Sequence, residues 1–126
     1  MERKTRQRES ILETFRDSKG PLSPQEVLDL TKPRIPDLGI ATVYRNIKTF
    51  VENGSLLPVP VPGEPDRYEI SGKKHHHHFI CRTCHKAFEM EGCPGSLAAM
   101  APPGFKVEEH EIFLYGRCRD CLAKKA

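Results

Sequence analysis

The pattern of apolar positions divides the chain into two halves of different character. Residues 5–17 place Ile11, Leu12 and Phe15 at helical spacing with charges opposite, and Gly20–Pro21 ends that segment. Ser23-Pro24-Gln25-Glu26 predicts a helix start, with Ser23 as N-cap, Pro24 at the first position and Glu26 closing a capping box. This helix runs through Val27, Leu28 and Leu30 and stops near Lys32–Pro33, and residues 33–39 form a turn. The spacing predicts a third helix over 40–53, with Ile40, Val43, Ile47, Phe50 and Val51 as its apolar stripe and Gly54 just past its end. Tyr44, Arg45 and Lys48 lie off that stripe. Residues 55–61 and 66–70 read as two short strands around a Pro-Gly-Glu-Pro turn.

Three short helices and a two-stranded ribbon describe a winged helix-turn-helix, whose third helix would enter a DNA major groove. Arg45 suits guanine or phosphate there, and the Tyr44 ring suits a thymine methyl. Residues 1–8 carry Arg3, Lys4, Arg6 and Arg8 against Glu2, which predicts a basic arm ahead of the first helix. The whole chain, 126 residues with 20 basic and 17 acidic side chains, is only slightly positive. Any nucleic-acid role therefore rests on local charge. No apolar run reaches the roughly 18 residues of a membrane span, and residues 1–20 hold no signal-peptide core, so a cytoplasmic protein is expected.

Cysteine and histidine change the picture for the second half. Residues 1–74 contain neither, and all five Cys and all six His fall in 75–121. Residues 71–74 (SGKK) read as a hinge. The pairs Cys81/Cys84 and Cys118/Cys121 have Cys-x-x-Cys spacing, so each can grip one edge of a tetrahedral zinc ion. Redox motifs of the same spacing open a helix after a strand in a βαβ unit, which is absent here. Zinc binding should form part of the folding free energy of this half, because 86–105 is rich in Pro, Gly and Ala. The chain lacks His-Glu-x-x-His and a Gly-rich phosphate loop, so no enzyme and no small organic substrate is expected.

His75, His76, His77 and His78 lead as a strand into Phe79-Ile80-Cys81. Alternation puts His75 and His77 on one face and His76 and His78 on the other, which suits two separate metal sites. Pairing position 81 with 84 across the turn sets His76 opposite Glu89 and His78 opposite Ala87. His76, His78, Glu89 and Glu69 then make a mixed N/O site for iron, manganese or zinc. His75 and His77 need a partner from elsewhere, and His110, at the start of a predicted strand 110–115, is the candidate. His85 sits inside the Cys turn, outside these ligand sets. The strand Glu111–Tyr115 carries an apolar face that so small a domain cannot bury alone, which points to a homodimer.

These strings together, GIATVYRNI, HHHHFICRTC and HEIFLYGRCRDC, resemble the ferric uptake regulator family from Thr5 to Cys121. The resemblance implies a metal-dependent dimeric transcription factor, usually a repressor, that binds palindromic double-stranded operator DNA. The implied architecture is α+β: a winged-helix DNA-binding domain over 1–70, a hinge at 71–74, and a small α/β dimerisation and metal-sensing domain over 75–126 with a structural zinc site. By similarity, Thr42, Tyr44 and Arg45 contact DNA with Arg3 and Arg8, and Cys81, Cys84, Cys118 and Cys121 hold structural zinc. Glu69, His76, His78 and Glu89 match the regulatory site, which takes a second divalent metal (zinc, iron or manganese), and His75, His77 and His110 match an additional site.

Three departures matter. The family often places a His before the second helix, where this chain has Lys19-Gly20-Pro21-Leu22. Its additional site usually takes a carboxylate from a segment that here, over 94–104, contains no acid. Cys93 precedes that segment; it reads either as an unliganded turn cysteine or as the missing ligand, which would favour zinc. Peroxide-sensing members use Asp where this chain has Glu69 and Glu89. Two other readings remain open: a metal-independent winged-helix protein whose zinc is purely structural, and a zinc-storage or delivery protein.

Overall fold

The computed structural model describes residues 2–93 and 97–124. Residues 94–96, at the start of the acid-free stretch discussed above, lie outside the described residues, as do Met1 and 125–126. The chain divides into two compact units on either side of the Lys73–Lys74 bond.

The first unit holds α1 (Glu2–Asp17), α2 (Pro24–Thr31) and α3 (Ile40–Glu52), followed by β1 (Leu56–Val59) and β2 (Arg67–Ile70). Helix α1 is longer than the sequence reading. Residues 3–8, expected as an arm, form its first turns, because Arg, Lys and Gln are good helix formers. Helix α2 opens with the full capping box: the Glu26 amide donates to Ser23 Oγ at 3.2 Å and the Ser23 amide to Glu26 Oε1 at 2.9 Å. Helix α3 closes with a Schellman motif, in which Ser55 N–H reaches Phe50 O and Gly54 N–H reaches Val51 O. Gly54 sits at φ +85°, a conformation that favours glycine. The two strands pair antiparallel with Leu56 opposite Ile70 and Leu57 opposite Glu69, and Leu22 adds a backbone bridge to Tyr68.

Ile11, Phe15, Val27, Val43, Ile47, Phe50 and Leu56 form the core of this unit. The stripe of α3 thus faces inward at Val43, Ile47 and Phe50, and Tyr44 stays 57% exposed on the opposite side. One buried polar pair, the Thr14 and Thr31 hydroxyls at 2.8 Å, satisfies itself inside that core.

The second unit is built on a three-stranded sheet in the order β4-β3-β5, with β3 at His76–Cys81, β4 at Ala87–Glu91 and β5 at Phe113–Gly116. Strand β4 is antiparallel to β3 and β5 is parallel to it. A short 3-10 turn (Leu97–Met100) and α4 (Arg119–Ala123) complete it. The buried set here is small: Ile80, Cys81 and Ala87, with His77 and His78.

Two local expectations are corrected. The β3–β4 register sets His76 opposite Glu91, His78 opposite Glu89 and Ile80 opposite Ala87, two residues away from the tight-turn pairing. The Cys turn takes four residues, 82–85, before Cys81 N–H meets Lys86 O, and His85 within it adopts φ +66°. That length lets the Cys84 amide fold back on Cys81 Sγ. The last strand also starts later than 110: its ladder begins at His78 opposite Phe113. The Ile112 amide is used by the His77 ring instead, so pairing cannot begin earlier.

Candidate metal centres and nucleic-acid face

Cys81 ends β3, Cys84 follows in the turn, Cys118 caps α4 and Cys121 lies within it. Their four Sγ atoms all lie within 4.8 Å of one another. Cys81 and Cys121 are 3.7 Å apart and Cys84 and Cys118 3.9 Å. A disulfide would require about 2.05 Å. Four sulfurs at the usual 2.3 Å from one zinc ion, arranged as a tetrahedron, stand about 3.75 Å apart. The donor set fits zinc.

The amides of Cys84 and Cys118 both point at Cys81 Sγ, each at 3.4 Å. The Cys84 amide does most to pull the Cys81 thiol down to about 5. Burial pushes the Cys121 thiol up to about 12, and burial also raises that of Cys84. Without a cation, the cluster favours one thiolate among neighbouring thiols, and four thiolates need a metal to coexist.

A second cluster gathers on one side of β3. His75 and His77 pack ring to ring at 4.5 Å, and His110 meets them at 4.8 Å and 5.1 Å. His75 Nε2 and Cys93 Sγ each lie 3.1 Å from His110 Nε2. The four potential ligand atoms of His75, His77, Cys93 and His110 lie within 4.8 Å of one another. His77 is 2% exposed. Its Nδ1 accepts from the Ile112 N–H at 3.2 Å, and its Nε2 has no hydrogen-bond partner among the described residues. Burial, and next the charge of His75, lowers the His77 pKa, so the ring is held neutral, the form that binds metals. A ring that accepts at Nδ1 carries its proton at Nε2. A cation at Nε2 must displace that proton, at the expense of the Ile112 contact.

His76 and His78 occupy the other side of β3, with their rings 4.9 Å apart. His76 Nδ1 donates to the Lys74 carbonyl at 2.6 Å, which puts the ring's acceptor lone pair on Nε2. His78 stacks on Phe113. Glu89 stands directly opposite His78, so the two share a face of the sheet. The same register puts Glu91 opposite His76, a carboxylate the tight-turn pairing overlooked. Glu69 lies on β2 of the first unit. His85 is exposed in the Cys turn.

In the first unit, α1 and α3 enclose an open cleft of about 250 Å³ lined by Lys4, Gln7, Arg8, Thr42, Arg45 and Asn46, among others. Arg45 donates to Thr42 Oγ1 at 3.0 Å, so both side chains are held on one edge of α3. Arg8 and Arg45 therefore share a cationic cleft with Lys4, also from the basic segment, and with Gln7, which the sequence reading left out. Arg3 instead pairs with Asp37 at 2.5 Å, with both side chains mostly exposed.

Residues 2–115 match the sequence profile of the Ferric uptake regulator family. The chain belongs to that family. Its relatives in the ferric uptake regulator family include the ferric uptake regulation protein of Campylobacter jejuni, 36% identical over 97% of this chain and 81% of that protein. The peroxide operon regulator of Bacillus subtilis is 30% identical over 96% of this chain and 85% of its own length. Among solved structures, the ferric uptake regulator of Francisella tularensis with iron is 30% identical, with a TM-score of 0.68 over 91% of this chain and 90% of that one. This family member is accordingly a metal-dependent transcriptional regulator, in a fold of helices and small sheets. The named relatives are regulators rather than enzymes. No helix among the described residues is long and apolar enough to cross a membrane.

Proposed function

We propose that the protein is a homodimeric repressor in the cytoplasm that binds palindromic operator DNA when a divalent metal fills its regulatory site. The observation that carries this reading is the two-sided histidine strand of the second unit, joined in one chain to the winged helix of the first. Cys81, Cys84, Cys118 and Cys121 hold structural zinc. His76, His78 and Glu89, with Glu69 from the wing as the family resemblance implies, hold the second metal (zinc, iron or manganese). His75, His77 and His110 hold a third. Thr42, Tyr44 and Arg45 meet the major groove, and Arg8 and Lys4 meet phosphates.

When bound, the regulatory metal supplies positive charge and directional bonds. His76 and His78 contribute Nε2-type lone pairs from a rigid strand, and Glu69 contributes a carboxylate from the wing. The operator-binding state of the dimer gains only by its higher affinity for the ion. A coupling of roughly 1–3 kcal/mol changes DNA affinity about 5- to 150-fold, and DNA must tighten metal by the same factor. The exposed Leu114 and Tyr115 of β5 support the dimer, since a second copy would cover them.

The test selects duplexes from a random pool with metal-loaded protein, then measures affinity with and without EDTA dialysis. The expected result is a palindromic site whose affinity falls at least about fivefold on dialysis, with its zinc at the Cys cluster retained. The His76→Ala/His78→Ala protein is expected to bind DNA weakly with or without added metal. Equal affinity with and without exchangeable metal would make the protein a metal-independent regulator.

A further inference from the structure

The side of β3 that faces away from His76 and His78 holds three imidazoles and one thiol. His75 precedes the strand, His77 is on it, Cys93 follows β4, and His110 lies 17 residues beyond Cys93. Nothing in the local sequence forces a cysteine from one loop against a histidine from another. Yet Cys93 Sγ and His75 Nε2 both approach the same atom, His110 Nε2, at 3.1 Å. Two nitrogens about 2.0–2.1 Å from a common ion stand about 2.9 Å apart at an octahedral edge and about 3.4 Å at a tetrahedral one. A sulfur at about 2.3 Å from the same ion stands about 3.1–3.6 Å from each nitrogen. Both observed separations fall in those ranges.

A second observation is independent of Cys93. His77 Nε2 is buried and has no partner among the described residues, although its ring packs against both His75 and His110. A buried imidazole N–H without a partner is costly unless something occupies that place.

We propose that Cys93 is the fourth ligand of this cluster, so that His75, His77, His110 and Cys93 form a His3Cys site that takes zinc in preference to iron(II) or manganese(II). The inference rests on reading His75, His77 and His110 as a metal site, and adds the ligand that sets its selectivity. Three imidazoles alone suit several divalent ions. A carboxylate as the fourth ligand shifts such a site towards harder ions, and a thiolate shifts it towards zinc. The site differs from the Cys cluster in exposure. Cys93 is exposed, whereas Cys81 is fully buried, so ions exchange here more readily.

Cobalt(II) tests the assignment, because only a sulfur ligand gives the thiolate-to-cobalt band in the near ultraviolet. The full-length protein is dialysed against EDTA, its retained zinc is counted, and cobalt(II) is added. The Cys cluster is then blocked by its own zinc, and the His76/His78 site has no sulfur. The expected result is a thiolate band in the wild type that is absent in Cys93→Ser, while the ligand-field bands of nitrogen-bound cobalt remain. Zinc affinity at this site is expected to fall tenfold or more in Cys93→Ser. Manganese(II) is expected to compete better against zinc in Cys93→Asp than in the wild type. A wild type without the band, a band that survives Cys93→Ser, or unchanged zinc affinity in that variant would overturn the proposal.

His110→Ala separates this failure from failure of the underlying reading. If it leaves cobalt stoichiometry unchanged, the three histidines are not a metal site at all. If it removes one cobalt while the wild type lacks the thiolate band, only Cys93 is wrongly assigned. The retained zinc count and the far-ultraviolet circular dichroism of each variant report whether it is folded.

Discussion

Arg67 Nη1 donates to Glu26 Oε1 at 2.8 Å, joining the wing strand β2 to the first turn of α2. The same oxygen accepts the Ser23 amide at 2.9 Å, so one carboxylate both caps the helix and neutralises an arginine that is 6% exposed. Glu64 gives Arg67 a second, longer contact at 3.4 Å. Removing the Glu26 side chain takes away the acceptor of the Ser23 amide, one half of the capping box, together with the shorter of the two carboxylate contacts of Arg67.

Glu26→Ala is therefore expected to destabilise the first unit by about 2–4 kcal/mol, chiefly from the broken, largely buried pair and in smaller part from the lost half of the capping box, since Ser23 still caps the helix. Glu64→Ala is expected to cost under about 0.5 kcal/mol, as for most surface substitutions. Urea denaturation followed by circular dichroism measures both. Equal costs for the two would show that Glu26 does not carry the wing contact.

The second unit depends on metal in a way the first does not. Its few buried residues include two histidines and a cysteine, and Leu114, Tyr115 and Leu122 are 40–51% exposed. So small an apolar core cannot offset the entropy of ordering the segment. Cys81→Ser, or removal of the tightly held zinc by a strong chelator in denaturant, is expected to abolish the ordered second unit. Helices α1–α3 should persist, because their core contains no ligand. Amide resonances assigned to each unit would show this directly, and loss of both units together would refute it.

How much of this was legible in the chain depended on the range of the interaction. The capping box, the stripe of α3 and the stop at Gly54 are written in residues within four positions of each other. Local spacing decided them. The partition of the four histidines was also legible, because alternation along a strand fixes the faces. The partners across the strand were not. The register slipped by two, which preserves the faces but moves Glu89 from His76 to His78 and brings in Glu91. The cause, a four-residue turn with His85 at positive φ, has no glycine or asparagine to announce it. The basic arm was misread because its charges were taken as a segment ahead of the first helix, when the same residues favour helix. Cys93 was visible only as the nearest soft ligand, since its approach to His110 depends on the intervening loop.

The corrected register yields a prediction of its own. Glu89, opposite His78 in the middle of β3, is expected to matter more for the regulatory metal than Glu91, opposite His76 at the strand's end. Glu89→Ala is expected to weaken exchangeable metal binding about 10-fold or more, and Glu91→Ala by less than threefold, on the scale of lost ligands or their hydrogen-bond partners. Titration of EDTA-dialysed protein measures this. The opposite order would restore the tight-turn pairing.

The cleft between α1 and α3 separates the basic residues by role. Arg45 and Arg8 line it together, whereas Arg3 is paired with Asp37. Arg45→Ala is expected to cost about 1–3 kcal/mol of operator affinity if it reads a base, relaxing specificity at one position. Arg8→Ala is expected to weaken binding to all sequences alike and to lower the slope of log affinity against log salt by about one. Arg3→Ala should change that slope much less. Fluorescence anisotropy at several salt concentrations distinguishes the three, and an Arg3 effect equal to that of Arg8 would return Arg3 to the phosphate contacts.

His77 makes the second unit sensitive to acid. Burial lowers its pKa in the folded protein below the ordinary 6.5 that the unfolded chain retains. Below 6.5 the unfolded chain therefore binds a proton that the folded protein resists, so stability falls as pH drops from neutral. The loss begins near 6.5 and ends at the lowered folded value, below which both states are protonated. His77→Asn keeps an acceptor for the Ile112 amide and removes the titration. The variant is expected to lose less stability than the wild type between pH 7.5 and 5.5, measured by urea denaturation with zinc held at the Cys cluster. Parallel pH profiles for the two proteins would show that His77 does not titrate differently on folding.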